Sequence, residues 1–149
     1  MNFLLDTNIL VHYIRQPELL SDFENKYQPF GNQNVALISI VTEAEMKSLA
    51  IQFDWGEKKK QQLEKLLGYF LKVPIQTEKQ IKVYAEMDAY SKHKDPVRKY
   101  PKGYSSITVG KNDLWIAATA YVTNSKLVTT DNDFDHLNRV FIDLIKPEI

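Results

Sequence analysis

LLDTNIL, residues 4–10, and LVTTDNDF, residues 127–134, each carry a short apolar run straight into an aspartate. The apolar residues are consecutive and do not alternate with polar ones, the pattern of a strand buried on both faces of a parallel sheet. After the first run, Ile9, Leu10, Tyr13 and Ile14 recur at helical spacing, so Asp6-Thr7-Asn8 reads as a sharp turn from strand into helix. The second run, Lys126 to Thr130, is a strand that stops at Asp131.

The same grammar holds outward from these two stretches. Pro17 opens a second short helix with Leu19, Leu20 and Phe23 on one side, and the Gly/Asn/Gln-rich stretch from Pro29 to Asn34 breaks the pattern. Val35 to Ser39 is again an apolar run with a polar end, and Val41 to Phe53 is again helical in character. Residues 57–72 put Leu63, Leu66, Leu67 and Phe70 on one stripe with lysines opposite, an amphipathic helix. Val73-Pro74-Ile75 reads as a brief extended piece. Thr77 and Gln80 have the spacing of a capping box that opens a helix running to about Lys92. His93 to Lys111 holds two prolines, two glycines and no period, and reads as a long loop. Asn112 is placed to cap the next helix, Asp113 to Tyr121, which is apolar nearly all round and so predicted to be buried. Val140 to Ile145 is a last strand. Apolar strands separated by helices predict an α/β fold with a central parallel β-sheet flanked by helices on both faces. No linker divides it, so residues 1–149 are expected to form a single domain.

Composition narrows the setting. Cysteine is absent, which excludes disulfide staples, thiolate zinc sites and a cysteine nucleophile, and suits a reducing compartment. No apolar run approaches the ~20 residues needed to span a bilayer, and MNFLLDTNIL has no basic leader, so a cytoplasmic protein without a membrane partner is expected. Lys plus Arg balances Asp plus Glu at 19 each, but unevenly along the chain. Residues 1–53 hold 3 basic and 6 acidic side chains, residues 54–102 hold 12 and 7, and residues 103–149 hold 4 and 6. Acidic ends with a basic middle can create local fields that a net charge of zero conceals.

In open parallel sheets, ligands sit beyond the carboxyl ends of the strands. Asp6 and Asp131 follow strands directly, Glu45 lies about one turn into a helix after a strand, and Asp113 opens the buried helix. Each alone can be read as a helix cap or a turn residue. Together, at one sheet edge, four carboxylates repel one another unless a cation sits among them. All-oxygen ligands with no cysteine and no spaced histidine pair suit Mg2+ or Mn2+. Such an ion lowers the pKa of a bound water and neutralises charge on a phosphoryl oxygen, the chemistry of phosphodiester hydrolysis.

The stretches LLDTNIL, ISIVTEAEM (residues 38–46), NDLWIAATA (residues 112–120) and LVTTDNDF resemble, in order and spacing, the PIN domain, most of all the VapC toxins of bacterial type II toxin–antitoxin modules. The resemblance covers essentially the whole chain. It implies a small α/β fold and a Mg2+- or Mn2+-dependent endoribonuclease that hydrolyses RNA with a metal-activated water. By motif position Asp6, Glu45, Asp113 and Asp131 resemble the family's catalytic, metal-binding carboxylates, and Asp133 competes with Asp131 as the late acidic residue that approaches the metal and is kept as an auxiliary ligand. Glu45 is selected over Glu43 because the pattern places the glutamate three residues after the threonine. Asn8 is expected to orient Asp6, Thr7 to complete the first motif, and the Thr130 hydroxyl to bind a carboxylate or a water on the metal. The resemblance also implies a cognate antitoxin protein and a homodimer.

The segment at about 93–111 departs from the family pattern, being longer and basic. Lys94, Arg98, Lys99 and Lys102, with Tyr90, Tyr100 and Tyr104 interleaved, have the composition of a surface for single-stranded RNA. His12, His93 and His136 are scattered and are expected to be ordinary surface or interface residues, with no part in catalysis. The alternatives are a non-catalytic PIN-like RNA-binding module and an aspartate-based phosphoryl-transfer domain. The latter is disfavoured because Asn8 stands where a phosphatase needs its second aspartate.

Overall fold

The computed structural model describes residues 1–149. Five strands, β1 (Asn2–Leu5), β2 (Val35–Ser39), β3 (Leu71–Val73), β4 (Ser125–Val128) and β5 (Asp143–Ile145), make one parallel sheet in the order β3-β2-β1-β4-β5. The helices are α1 (Thr7–Arg15), α2 (Ser21–Tyr27), α3 (Ile40–Gln52), α4 (Glu57–Leu67), α5 (Glu78–Ser91) and α6 (Lys111–Val122). Single 3₁₀ segments occupy Pro17–Leu20 and Asn132–Leu137.

The pleat sorts the two layers. Phe3 and Leu5 of β1, Ala36 and Ile38 of β2 and Val128 of β4 face one way, into a core with Ile9, Leu10, Met46 and Leu67. Leu4, Leu37 and Leu127 face the other way, against Val83 and Met87 of α5 and Leu114 and Ala118 of α6. The expected α/β architecture with helices on both faces is therefore the observed one. These strand residues are all in a core, which is why none of the runs alternates.

Five boundaries differ from expectation. The strand expected over Lys126–Thr130 is Ser125–Val128, so Asp131 stands three residues beyond it, and the Thr129 hydroxyl turns to Asp6. The third strand is Leu71–Val73, paired with Leu37–Ser39, and not residues 73–75. Pro74 has no N–H to give, so the ladder stops before it. The amphipathic helix ends at Leu67 with Gly68 as its cap. Gly110, not Asn112, is the N-cap of α6, which puts Asp113 at the third helical position. The last strand starts at Asp143, because the N–H groups of Val140, Phe141 and Ile142 turn back onto the Leu137 carbonyl. The Thr77–Gln80 capping box forms as predicted, with reciprocal bonds at 3.1 and 3.0 Å.

The order of the strands locates the site. The chain builds from β1 outward to β2 and β3, then crosses back to place β4 on the other side of β1. The connections diverge between β1 and β4, which opens a crevice at their carboxyl ends.

Candidate metal centre

Asp6 is the first residue beyond β1 and stands in that crevice. Its N–H donates to the Val128 carbonyl at 2.9 Å, so the sheet ladder itself fixes its position. Its side chain caps α1, Oδ1 accepting from the Thr7 N–H at 2.8 Å, while Oδ2 accepts the Thr129 hydroxyl at 2.7 Å. Both carboxylate oxygens are thus held and the residue is only 4% exposed. Thr7 turns its hydroxyl to Glu45, donating to Oε1 at 2.8 Å, with the Thr42 hydroxyl 3.2 Å away. One DTN turn therefore orients carboxylates from β1 and α3 together.

Across the crevice, Asp131 N–H donates to Thr129 Oγ1 at 3.0 Å, and Asp131 Oδ1 caps the following 3₁₀ segment through the Asp133 N–H at 2.8 Å. Asn8 spans the gap, its amide donating to Thr129 Oγ1 at 3.4 Å and its Oδ1 accepting from the Thr130 N–H at 3.4 Å. Asp113 comes from the first turn of α6, and one oxygen each from Asp113, Asp131 and Asp133 lie within 4.8 Å of one another. No cation of the protein enters this group: the ion pairs of the fold all involve other carboxylates.

The energetic mark of such a cluster is reluctance to ionise. Burial pushes Asp6 up to about 6, with Glu45 and Asp131 adding to the effect and the Thr129 and Thr7 hydrogen bonds opposing it. Burial pushes Asp113 up to about 7, and Asp6, Asp131, Glu45 and Asp133 all raise it further. Holding Asp6 ionised at neutral pH without a cation therefore costs on the order of 3 kcal/mol. A hard divalent ion fits these donors, which are all carboxylate oxygens with uncompensated charge.

The sequence-predicted residues fall into three groups. Asp6, Glu45, Asp113, Asp131 and Asp133 share the crevice, and Thr7 is bonded to Asp6 and Glu45, whereas Asn8 makes no bond to Asp6 itself and reaches it only through the Thr129 hydroxyl that both contact. Glu43, by contrast, leaves the site to pair with Lys47 at 3.0 Å and Lys72 at 2.9 Å. The hydroxyl on a carboxylate belongs to Thr129, one residue before the expected Thr130, whose backbone N–H instead meets Asn8. Consecutive residues of an extended chain point to opposite sides, and the TT pair alone does not say which side holds Asp6.

In the basic segment the structure commits Arg98 to the fold and not to a ligand. Its guanidinium pairs with Glu86 at 3.0 Å and Asp95 at 3.7 Å and lies 4.3 Å over the Phe141 ring. Lys94, Lys99 and Lys102 are exposed and form no ion pair. His136 is not an idle surface residue either: it is half-buried, hydrogen-bonded to Ser91 at 2.6 Å, and burial lowers its pKa.

Residues 3–140 match the PIN domain, and the chain belongs to the PIN domain family. Nuclease activity and the use of divalent metals are general in that family. No curated protein matches the chain. Among solved structures it is similar to VapBC2 from Rickettsia felis bound to a DNA fragment from their promoter, at 24% identity and TM-score 0.78 over 99% of this chain and 100% of that one. It is also similar to VapBC-1 from nontypeable Haemophilus influenzae, at 21% identity and TM-score 0.71 over 98% of each chain. A third is FitAcB from Neisseria gonorrhoeae, at 22% identity and TM-score 0.69 over 97% of each. The shared fold extends over nearly the full length of these chains. No helix is long and apolar enough to cross a membrane.

Proposed function

We propose that the protein is a Mg2+- or Mn2+-dependent endoribonuclease, the toxin of a type II toxin–antitoxin module. The observation that carries this reading is the cluster of Asp6, Glu45, Asp113, Asp131 and Asp133 at the β1/β4 crevice, with Asp6 and Asp113 raised and no internal cation to relieve them.

Asp6, Glu45, Asp113 and Asp131 would hold the metal, with Asp133 beside them. When bound, a divalent ion supplies a more acidic water and neutralises charge developing on the phosphoryl oxygens. The chain supplies preorganisation. The Thr7 N–H and Thr129 hydroxyl fix Asp6, and the Thr7 hydroxyl fixes Glu45, so these side chains need not reorder to receive the ion. Asn8 ties the β1 turn to the β4 turn and keeps the two halves of the crevice in register. No histidine stands in the cluster to act as a base, which favours water over the ribose 2′-hydroxyl as nucleophile and predicts 5′-phosphate products. Lys94, Lys99 and Lys102 offset the repulsion between RNA and an acidic site.

Solved structures to which the chain is similar include VapBC and FitAB complexes, some of them bound to DNA. That likeness supports a cognate antitoxin partner for this chain, and the toxin reading carries with it a homodimer. The lack of cysteine suits work in the cytoplasm. The test is cleavage of RNA by purified protein: activity with Mg2+ or Mn2+, loss in EDTA, and loss on Asp6→Ala or Asp113→Ala. Metal-dependent cutting that survives both substitutions would refute the site. Binding of RNA without cutting under any metal would convert the reading to a non-catalytic module.

A further inference from the structure

The segment between α5 and α6 is a finger with two fixed roots and a free tip. At the first root, the Ser91 hydroxyl donates to the Met87 carbonyl at 2.7 Å, so its oxygen accepts from His136 Nε2–H at 2.6 Å. His136 stacks on Tyr90 (centroids 6.3 Å, planes 7° apart) and on Tyr100 (6.0 Å, 29°). Tyr100 also packs on Tyr90 at 5.0 Å and His93 at 4.0 Å, and Arg98 locks the same stretch to Glu86 and Phe141. At the second root, the Ile107 N–H donates to the Ser91 carbonyl at 2.8 Å, Val109 is buried, and Gly110 caps α6.

Between these roots every residue from Pro101 to Ser106 is exposed, and the chain reverses at Lys102-Gly103 with Gly103 at φ +90°. That left-handed conformation suits glycine and defines a tip. The tip presents Tyr104, 67% exposed, beside Lys102. Both roots adjoin the acidic cluster: a Cβ on Gly110 would lie 3.7 Å from Asp113 Oδ2, and His136 lies within reach of the charge of Asp133. Tyr90 and Tyr100 are engaged in holding the finger, which leaves Tyr104 as the one aromatic of the segment with a free face.

We infer that Tyr104 is a specificity-determining residue that stacks on an unpaired base flanking the scissile phosphate, while Lys102 contacts the neighbouring phosphate. An aromatic ring on a firmly rooted loop gives stacking at little ordering cost, and a lysine beside it adds charge without reading sequence. The inference rests on the proposed ribonuclease activity and adds the base-contacting residue.

The test compares wild type, Tyr104→Ala, Tyr104→Phe and Lys102→Ala on short single-stranded RNAs that vary at one position beside the cut. Tyr104→Ala is expected to raise KM about tenfold and flatten the preference among bases, and Tyr104→Phe to keep both. Lys102→Ala is expected to raise KM evenly across the RNAs and to reduce its salt dependence. All variants are expected to melt with the wild type, since the tip touches no core. An active wild type with Tyr104→Ala unchanged in KM and preference overturns the inference alone, as does a lowered melting temperature for that variant. A wild type that cuts none of these RNAs with any metal overturns the nuclease reading and the inference with it.

Discussion

The carboxylate crevice and the basic segment 93–110 carry opposite charge, yet they differ most in how that charge is balanced. In the crevice five acidic side chains face one another with hydrogen bonds but no cation, and Asp6 and Asp113 resist ionisation as a result. In the basic segment the most confined charge is fully answered, Arg98 by Glu86, Asp95 and the face of Phe141. Charge left unbalanced inside a fold costs stability, and here it coincides with the proposed ligand site. Balanced charge is architecture. Charge density along a sequence therefore does not identify function; charge that the fold leaves uncompensated does.

Removing a crevice carboxylate should have the largest effect. Asp113→Ala or Asp6→Ala is expected to lower metal-dependent RNA cleavage by about 10³-fold. Asp113→Asn is expected to do the same while raising the melting temperature of metal-free protein, because it deletes repulsion without opening a cavity. A variant that loses activity and also stability would mean that Asp113 is a structural residue.

Acidity and metal should act on the same sites. Asp6 and Asp113 have folded-state values above their ordinary one, so protonating them favours the fold. The stability of metal-free protein is expected to rise as pH falls from about 7.5 to about 5, and to be lost again as pH climbs through about 6 and 7. Glu43 and Asp95 are shifted the other way, by Lys72 and by the Val97 N–H respectively, so the stabilisation they give is lost only in more acid solution. Mg2+ or Mn2+ should therefore raise the melting temperature more at neutral pH than at about pH 5, measurable by scanning calorimetry. An equal rise at both would show that the ion binds elsewhere.

Arg98→Ala probes the balanced side. It is expected to cost about 1 kcal/mol in chemical denaturation, through its missing ion pairs and missing packing on Phe141, and to loosen the finger. Lys94→Ala with Lys99→Ala is the smallest effect: unchanged stability, weaker RNA binding, and a binding-versus-salt slope reduced by about 0.7 for each phosphate left unpaired. Fluorescence anisotropy across a salt series reads it.

The residue patterns along the chain suffice for the sheet, both helical layers and the edge at which Asp6, Glu45, Asp113 and Asp131 stand. Apolar periodicity is local, so a strand buried on both faces betrays itself within five residues, as Leu4-Leu5 and Ala36-Leu37-Ile38 do. What stays hidden is local in another sense. The edge strand β3, Leu71-Lys72-Val73, is too short for apolar periodicity to mark it, and the missing N–H of Pro74 is the sign in the sequence that the ladder stops before it. Arg98 resembles its lysine neighbours along the chain, and His136 resembles an idle surface residue, because the partners that define them lie on α5 and at Phe141.

The α/β order, the burial of each central strand and the aspartate that closes β1 are written in the chain, because these depend on sequence neighbours. Which side chains answer one another is settled in three dimensions. Thr129 reaches Asp6 across 123 positions, Thr7 reaches Glu45 across 38, and Ser91 reaches His136 across 45. Hydrogen bonds and ion pairs act over a few ångströms in space and ignore distance along the chain. The crossing from β3 back to β4 brings Asp131 beside Asp6, and the crevice exists only once that crossing is made.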